Sequence, residues 1–341
     1  MRALLLCGFV FAGVASYAAC GGDSGNTPQG DADATTDGAS IDDSSNVSDG
    51  ALPPEDGESA FDGAITDGGI GDAKMSDAKA ADADAGIDTS LCPFDPKTKA
   101  AVCPPYTKPA VFFIPHQDDE TIGMAAAIAE HVKAGRQVFL ELMTDGQSSK
   151  TRLQLDDGKT DALHAGAHVY ALTTKQFSDA RVLEFTDAAM RLGVTGIRLN
   201  GIKDGTLAAA DVKTRIDWWR VKSDKTLSLK GTASGDASYT HHDSPPGHPD
   251  HNAIWDALVA SKYDDVRGYL VYVNASGAAA ATPNQTIDLG TAECAAKTSV
   301  ATAYKLWQPA SSRYAIGYHS VGDLFANATT KCKEYVVLPP P

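Results

Sequence analysis

The run AVFFI, Ala110 to Ile114, is apolar without a break. A strand with one wet face alternates apolar and polar residues, so an unbroken run predicts a strand covered on both faces, as in a parallel sheet. Parallel neighbours need a crossover, and the following residues supply one. In TIGMAAAIAEHVKAG, Ile122, Ala125, Ala126, Ala129 and Val132 recur at helical spacing, and Gly135 stands where a helix stops. QVFLELMT then reads as a second strand, broken by Asp145-Gly146. Strand, helix and strand in this order make a βαβ unit.

The same grammar recurs downstream. RVLEFTDAAMRLGV reads as a helix ending at Gly193, GIRLNGI as a strand ending at Lys203-Asp204-Gly205, HNAIWDALVASKY as a helix and GYLVYVN as a strand. The expectation is one α/β domain over residues 91–341, Rossmann-like, with a mostly parallel sheet and helices on both faces. There is no internal repeat and no internal apolar run of membrane-spanning length.

The first 90 residues follow other rules. Met1 to Cys20 gives one basic residue, a moderate apolar run and small residues before the cysteine, the pattern of a secretory signal. Its end, Tyr17-Ala18-Ala19-Cys20-Gly21, resembles a bacterial lipobox, with Tyr17 where an aliphatic residue is usual. Residues 1–20 are therefore read as a signal peptide of lipoprotein type, and lipidated Cys20 as the contact with a membrane. That makes the chain exported and anchored, at an outer membrane or cell surface because Gly21 is not the aspartate that often retains lipoproteins further in. Without lipidation it would be periplasmic or secreted. Residues 21–90, rich in Asp, Ala, Gly and Ser, hold too little apolar surface to offset the entropy of ordering and are expected to be a disordered tether.

The tether's 17 acidic residues and 2 lysines account for the whole chain's net charge of −15, leaving 27 acidic against 27 basic residues elsewhere. So balanced a remainder gives no electrostatic case for nucleic acid as a partner. Four cysteines remain beyond the signal and Cys20: Cys92, Cys103, Cys294 and Cys332. In an exported chain they suggest two disulfides, with Cys92–Cys103 and Cys294–Cys332 preferred among three connectivities.

Two clusters carry chemistry. PHQDDE, Pro115 to Glu120, lies at the exit of the first strand and the mouth of the first helix, where open α/β sheets bind ligands. HPDH, His248 to His251, lies just before another helix. Histidine and carboxylate together suit a zinc ion that keeps one position open. Adjacent Asp118 and Asp119 cannot both ionise comfortably in a dry pocket unless a positive charge offsets them, and a divalent cation would do so. Taken singly, each cluster could be a set of helix caps or a polar loop.

Together, the motifs resemble those of the zinc-dependent de-N-acetylases of the PIG-L/LmbE-like family. Gln117 stands where the first motif usually has proline; the second motif matches throughout. Arg181-x-x-Glu184, Leu192-Gly193-Val194 and Asp204-Gly205 follow the family's middle pattern in order, and the resemblance covers roughly residues 108–310. It implies an LmbE-like fold and one zinc per chain, or another first-row divalent ion, on His116, Asp119 and His251. It further implies Asp118 as the general base, His248 as the group that stabilises the oxyanion, Asp250 as a residue tuning a histidine, and Arg181 and Asp204 as substrate contacts. The implied reaction is hydrolysis of the N-acetyl amide of an amino sugar of the N-acetylglucosamine type or its glycoconjugate. The alternatives are the same chemistry on another N-acyl substrate, or an inactive carbohydrate-binding lipoprotein of this fold. Trp218 and Trp219, His241 and His242, and His319 are further candidates for the pocket, though each has a plainer reading as core, interfacial or surface residue.

Overall fold

The computed structural model describes residues 88–160, 162–223, 226–233, 248–271 and 282–340. The predicted signal, the lipidation site, residues 21–87 of the tether, and His241 and His242 lie outside the described residues.

The elements run β1 Ala110–Ile114, α1 Asp119–Lys133, β2 Val138–Thr144, α2 Thr151–Gln154, α3 Thr174–Leu192, β3 Gly196–Ile202, α4 Ala209–Lys222, β4 Ser228–Thr232, α5 Pro249–Ala260 and β5 Val266–Leu270. They continue with β6 Gln285–Asp288, α6 Thr291–Ala301, the short pair β7 Trp307–Gln308 and β8 Arg313–Tyr314, α7 Ile316–Lys331 and β9 Lys333–Val337. The main sheet has the order β3-β2-β1-β4-β5-β9-β6. β1 to β5 are parallel, and β9 runs antiparallel to both β5 and β6.

AVFFI is buried on both faces as expected. Ala110, Phe112 and Ile114 pack with Met124 and Ile128 of α1 and Phe185 of α3. Val111 and Phe113 point the other way, to Val212 and Trp219 of α4 and Ile254 and Leu258 of α5. Each large side chain removed from water here contributes on the order of 1.5–3 kcal/mol, so the sheet is held by helices on both faces. The two disulfides are Cys92–Cys103, just before β1, and Cys294–Cys332, joining α6 to the end of α7.

α3 begins seven residues before its predicted start. Thr173 accepts the backbone N–H of Gln176, and the Gln176 side chain accepts the N–H of Thr173, so the helix is capped reciprocally. It stops at Gly193, whose φ of 71° a residue with a Cβ seldom adopts. α5 approaches the sheet closely because two strands present no side chain beneath it. A Cβ on Gly231 of β4 would stand 2.6 Å from Ile254, and one on Gly268 of β5 would stand 2.5 Å from Trp255.

This topology fixes where a ligand can sit. The chain winds from β1 through β2 to β3 in one direction, then crosses back to β4 and β5 on the other side of β1. The carboxyl ends of β1 and β4 therefore flank the reversal, which is where open parallel sheets bind ligands. PHQDDE follows β1, and His248 opens α5, the next described element after β4.

Candidate functional site

The turn from β1 into α1 is made at Asp118, at φ 134° and ψ −31°, a region that residues with a Cβ rarely occupy. It leaves Asp119 and Glu120 in the first turn of α1, where the helix dipole favours carboxylates. On α5, His248 is the N-cap, Pro249 opens the helix, and Asp250 and His251 occupy its first turn. Sequence neighbours within each motif thus become first-turn residues of two helices that converge on one crevice.

Their atoms interlock. Asp119 Oδ2 lies 3.3 Å from Nδ1 of His116 and 3.4 Å from Nε2 of His251. His116 turns its other nitrogen, Nε2, to Asp250 at 3.1 Å and Asp204 at 3.3 Å. Asp250 is fixed in turn by the backbone N–H groups of Gly205 and Leu207, at 2.8 and 3.0 Å. The His248 ring packs edge-on against that of His116, with centroids 4.5 Å apart. His116, Asp118, Asp119, Arg181, Asp204 and His248 all line one cavity of about 250 Å³.

Arg181 occupies that cavity wall differently from the expected substrate contact. Its guanidinium donates to Asp118 Oδ2 at 3.1 Å, to the Gln117 carbonyl at 2.9 Å and to the Gly146 carbonyl at 3.1 Å. Only 4% of Arg181 is exposed, so these bonds hold Asp118 and its turn in place. Three residues along α3, Glu184 caps α7 by accepting the N–H groups of Ile316 and Gly317. One helix face thus positions both the base candidate and the helix whose Ser320, Val321 and Leu324 form the opposite wall of the cavity.

The carboxylates differ by environment. Burial pushes the Asp118 carboxyl upward, and the Arg181 guanidinium only partly opposes it. Asp119 experiences burial too, but His251 and His116 beside it outweigh that and hold it below the usual carboxylate range. Glu120, also buried, is raised to about 7 by desolvation while it accepts from the Thr121 and Tyr304 hydroxyls, both at 2.6 Å, and from the Asp118 N–H. It braces the Asp118 turn from below.

The donor set fits a divalent ion. A tetrahedral site with bonds of about 2.0–2.1 Å spaces its ligand atoms about 3.3 Å apart; Asp119 Oδ2 stands 3.3 Å from His116 Nδ1 and 3.4 Å from His251 Nε2, and His116, His248 and His251 each bring a nitrogen within 4.8 Å of the others. The contact of Asp250 with the far nitrogen of His116 is the outer arrangement by which carboxylates orient ligating imidazoles. Asp118, Asp119, Asp204 and Asp250 also surround this cluster with more negative charge than Arg181 alone balances.

The predicted residues His116, Asp118, Asp119, Arg181, Asp204, His248, Asp250 and His251 all meet here. Glu120 belongs to the predicted PHQDDE cluster but was given no role of its own, and Tyr304 and the α7 wall were not anticipated; no spacing in the sequence links α7 to a loop about 200 residues earlier. Trp219 is fully buried in the core, and its indole N–H donates to Glu141, while Trp218 lies under the Arg215 guanidinium.

Comparison with known proteins agrees with the motifs. Residues 111–261 match the PIG-L family model, described as GlcNAc-PI de-N-acetylase, and this part of the chain is a PIG-L domain. No curated protein sequence matches significantly. Similar solved structures include N,N'-diacetylchitobiose deacetylase from Pyrococcus horikoshii, 18% identical with a TM-score of 0.42 over 68% of this chain and 84% of that one. Another is GalB, the 4-carboxy-2-hydroxymuconate hydratase of Pseudomonas putida KT2440, 17% identical, TM-score 0.45, covering 69% and 98%. A third is the A40926 pseudoaglycone deacetylase Dbv21, 15% identical, TM-score 0.44, covering 67% and 93%.

Proposed function

We propose that this PIG-L domain is an exported, zinc-dependent N-deacetylase acting on an N-acetylated amino sugar or its conjugate. The observation that carries the reading is the meeting of the two motifs: one carboxylate oxygen of Asp119 within 3.4 Å of a nitrogen of both His116 and His251, with the Asp118 carboxylate in the same cavity. His116, Asp119 and His251 would hold the ion. When bound, such an ion polarises the scissile carbonyl and makes water acidic enough to attack near neutral pH.

The chain's own residues do the rest. Asp118 takes a proton from the attacking water as its oxygen bonds to the amide carbon, and delivers that proton to the nitrogen as the C–N bond breaks. Acetate and a free amine result. Arg181 keeps the Asp118 carboxylate aimed at the reacting atoms, and its two backbone acceptors stop it from swinging away. His248, on the cavity wall, donates to the oxygen that becomes negative in the tetrahedral intermediate. Asp250, held by two backbone N–H groups, orients His116. A signal peptide and lipidated Cys20 would place this chemistry at a membrane surface, with residues 21–90 as the spacer.

The test begins with metal. Protein prepared with zinc is expected to hold an ion that His251→Ala loses, and the parent alone should release amine from N-acetylated sugars. Full metal retention in His251→Ala would sink the ligand assignment. Amine release from N-acylated peptides but not from sugars would move the substrate class.

A further inference from the structure

A second group of imidazoles lies outside the catalytic crevice. His164 and His168 stand on the connection between α2 and α3, and His319 stands in the first turn of α7. One nitrogen of each lies within 4.8 Å of the others, although 151 residues separate His168 from His319. His164 Nε2 and His319 Nε2 share a hydrogen bond of 3.1 Å, close to the roughly 3.3 Å between ligand atoms of a tetrahedral ion, which would replace the proton between them.

Two of the three, His168 and His319, have their other nitrogen engaged in the manner of ligating histidines. His319 Nδ1 lies 2.8 Å from the Ala315 carbonyl, which can only accept, so the Nδ1–H donates and Nε2 keeps its lone pair. His168 Nδ1 lies 3.3 Å from the Asp157 carboxylate. An imidazole backed by a carbonyl or carboxylate is the usual outer arrangement of a metal site. The backbone fixes His168 as well, through bonds of 2.8 Å between Gly158 N and His168 O and between His168 N and Lys159 O. His164 stacks on Trp307, with centroids 3.4 Å apart and planes 6° from parallel.

We infer that His164, His168 and His319 form a second metal site, for a borderline first-row divalent cation such as Zn²⁺ or Cu²⁺, that pins the α2–α3 connection to α7. All-imidazole donors suit these ions and not Mg²⁺ or Ca²⁺. The consequence reaches the catalytic cavity. His319 immediately precedes Ser320 and Val321, which line that cavity, and Val321 breaks the helical geometry of α7 at φ −139°, ψ 40°. An ion on His319 therefore anchors the segment of α7 that leads into the cavity wall.

The experiment uses the full chain, stripped by chelator and titrated with Co²⁺ alone, followed by visible absorption and by Trp fluorescence. Two equivalents are expected in the parent and one in His164→Gln/His319→Gln. His251→Ala, which lies in the other site, should lose a different equivalent and keep the quenching that comes from Trp307. Trp307→Phe should abolish that quenching. Because removing an imidazole could loosen the connection by itself, His164→Cys supplies a control: its thiolate can ligate, so the second equivalent should return. The inference is overturned if the His164/His319 variant keeps both equivalents, or if the parent takes one and Trp307 fluorescence does not move. Loss of the catalytic reading would appear separately, as undiminished binding in His251→Ala.

Discussion

Asp118→Asn is expected to lower kcat for amide hydrolysis by about 10²–10⁴-fold, the range a positioned acid–base group supplies, while leaving metal content unchanged. Asparagine keeps the shape of the side chain, still offers an oxygen to Arg181 and tolerates a positive φ better than most residues. What it loses is the capacity to carry a proton from water to amine. The measurement is steady-state amine release beside metal analysis on the same preparation. Activity within a few fold of the parent would remove Asp118 from the proton path and leave Glu120, also close to the turn, as the group to examine.

The second large effect is on stability and lies on the opposite face of the sheet. Glu141 is fully buried in the middle of β2, facing α4. Its carboxylate accepts from Arg215 at 2.7 and 3.1 Å, from the Trp219 indole at 2.7 Å and from Asn200 at 2.9 Å. Glu141→Ala leaves the Arg215 guanidinium, itself buried, without its counter-ion, and should cost about 3–5 kcal/mol. Replacing both partners, as Glu141→Leu/Arg215→Met, should recover part of that, since an apolar pair incurs no desolvation of charge, while the buried Trp219 indole N–H, left without its acceptor, keeps about 1–3 kcal/mol of the loss. Urea unfolding with an unchanged m-value would measure both. A loss below about 1 kcal/mol in Glu141→Ala would mean that water reaches Arg215 in the variant and solvates it.

The sequence made some of this legible and not the rest, for physical reasons. β1 and β2 were readable because apolar, β-forming side chains dominate them, β3 because Ile197, Leu199 and Ile202 run up to the turn signal Asp204-Gly205, and α1 and α5 because their motifs announce a helix start. β4 was not: its SLKGT buries Lys230, satisfied by Asp265 and Ser228, and Gly231, so a core strand reads as a polar loop. The catalytic crevice could be read in outline because each motif is local. Its bracing could not, since Arg181 to Asp118, Tyr304 to Glu120 and Glu184 to α7 are long-range contacts with no periodicity to mark them. His319 was considered for the catalytic pocket. The structure instead brings it to His164 and His168, one residue short of the cavity wall.

The backbone at Asp118 has a consequence for descent. At φ 134° a glycine would sit without strain; what argues for a carboxylate is its proposed chemistry together with the buried Arg181 guanidinium that it pairs with. In a lineage released from selection for turnover, a change to glycine here would relax the turn but leave the buried Arg181 guanidinium without its counter-ion, so the two residues should change together. Among relatives, this pair of positions should separate working copies from those kept for their shape.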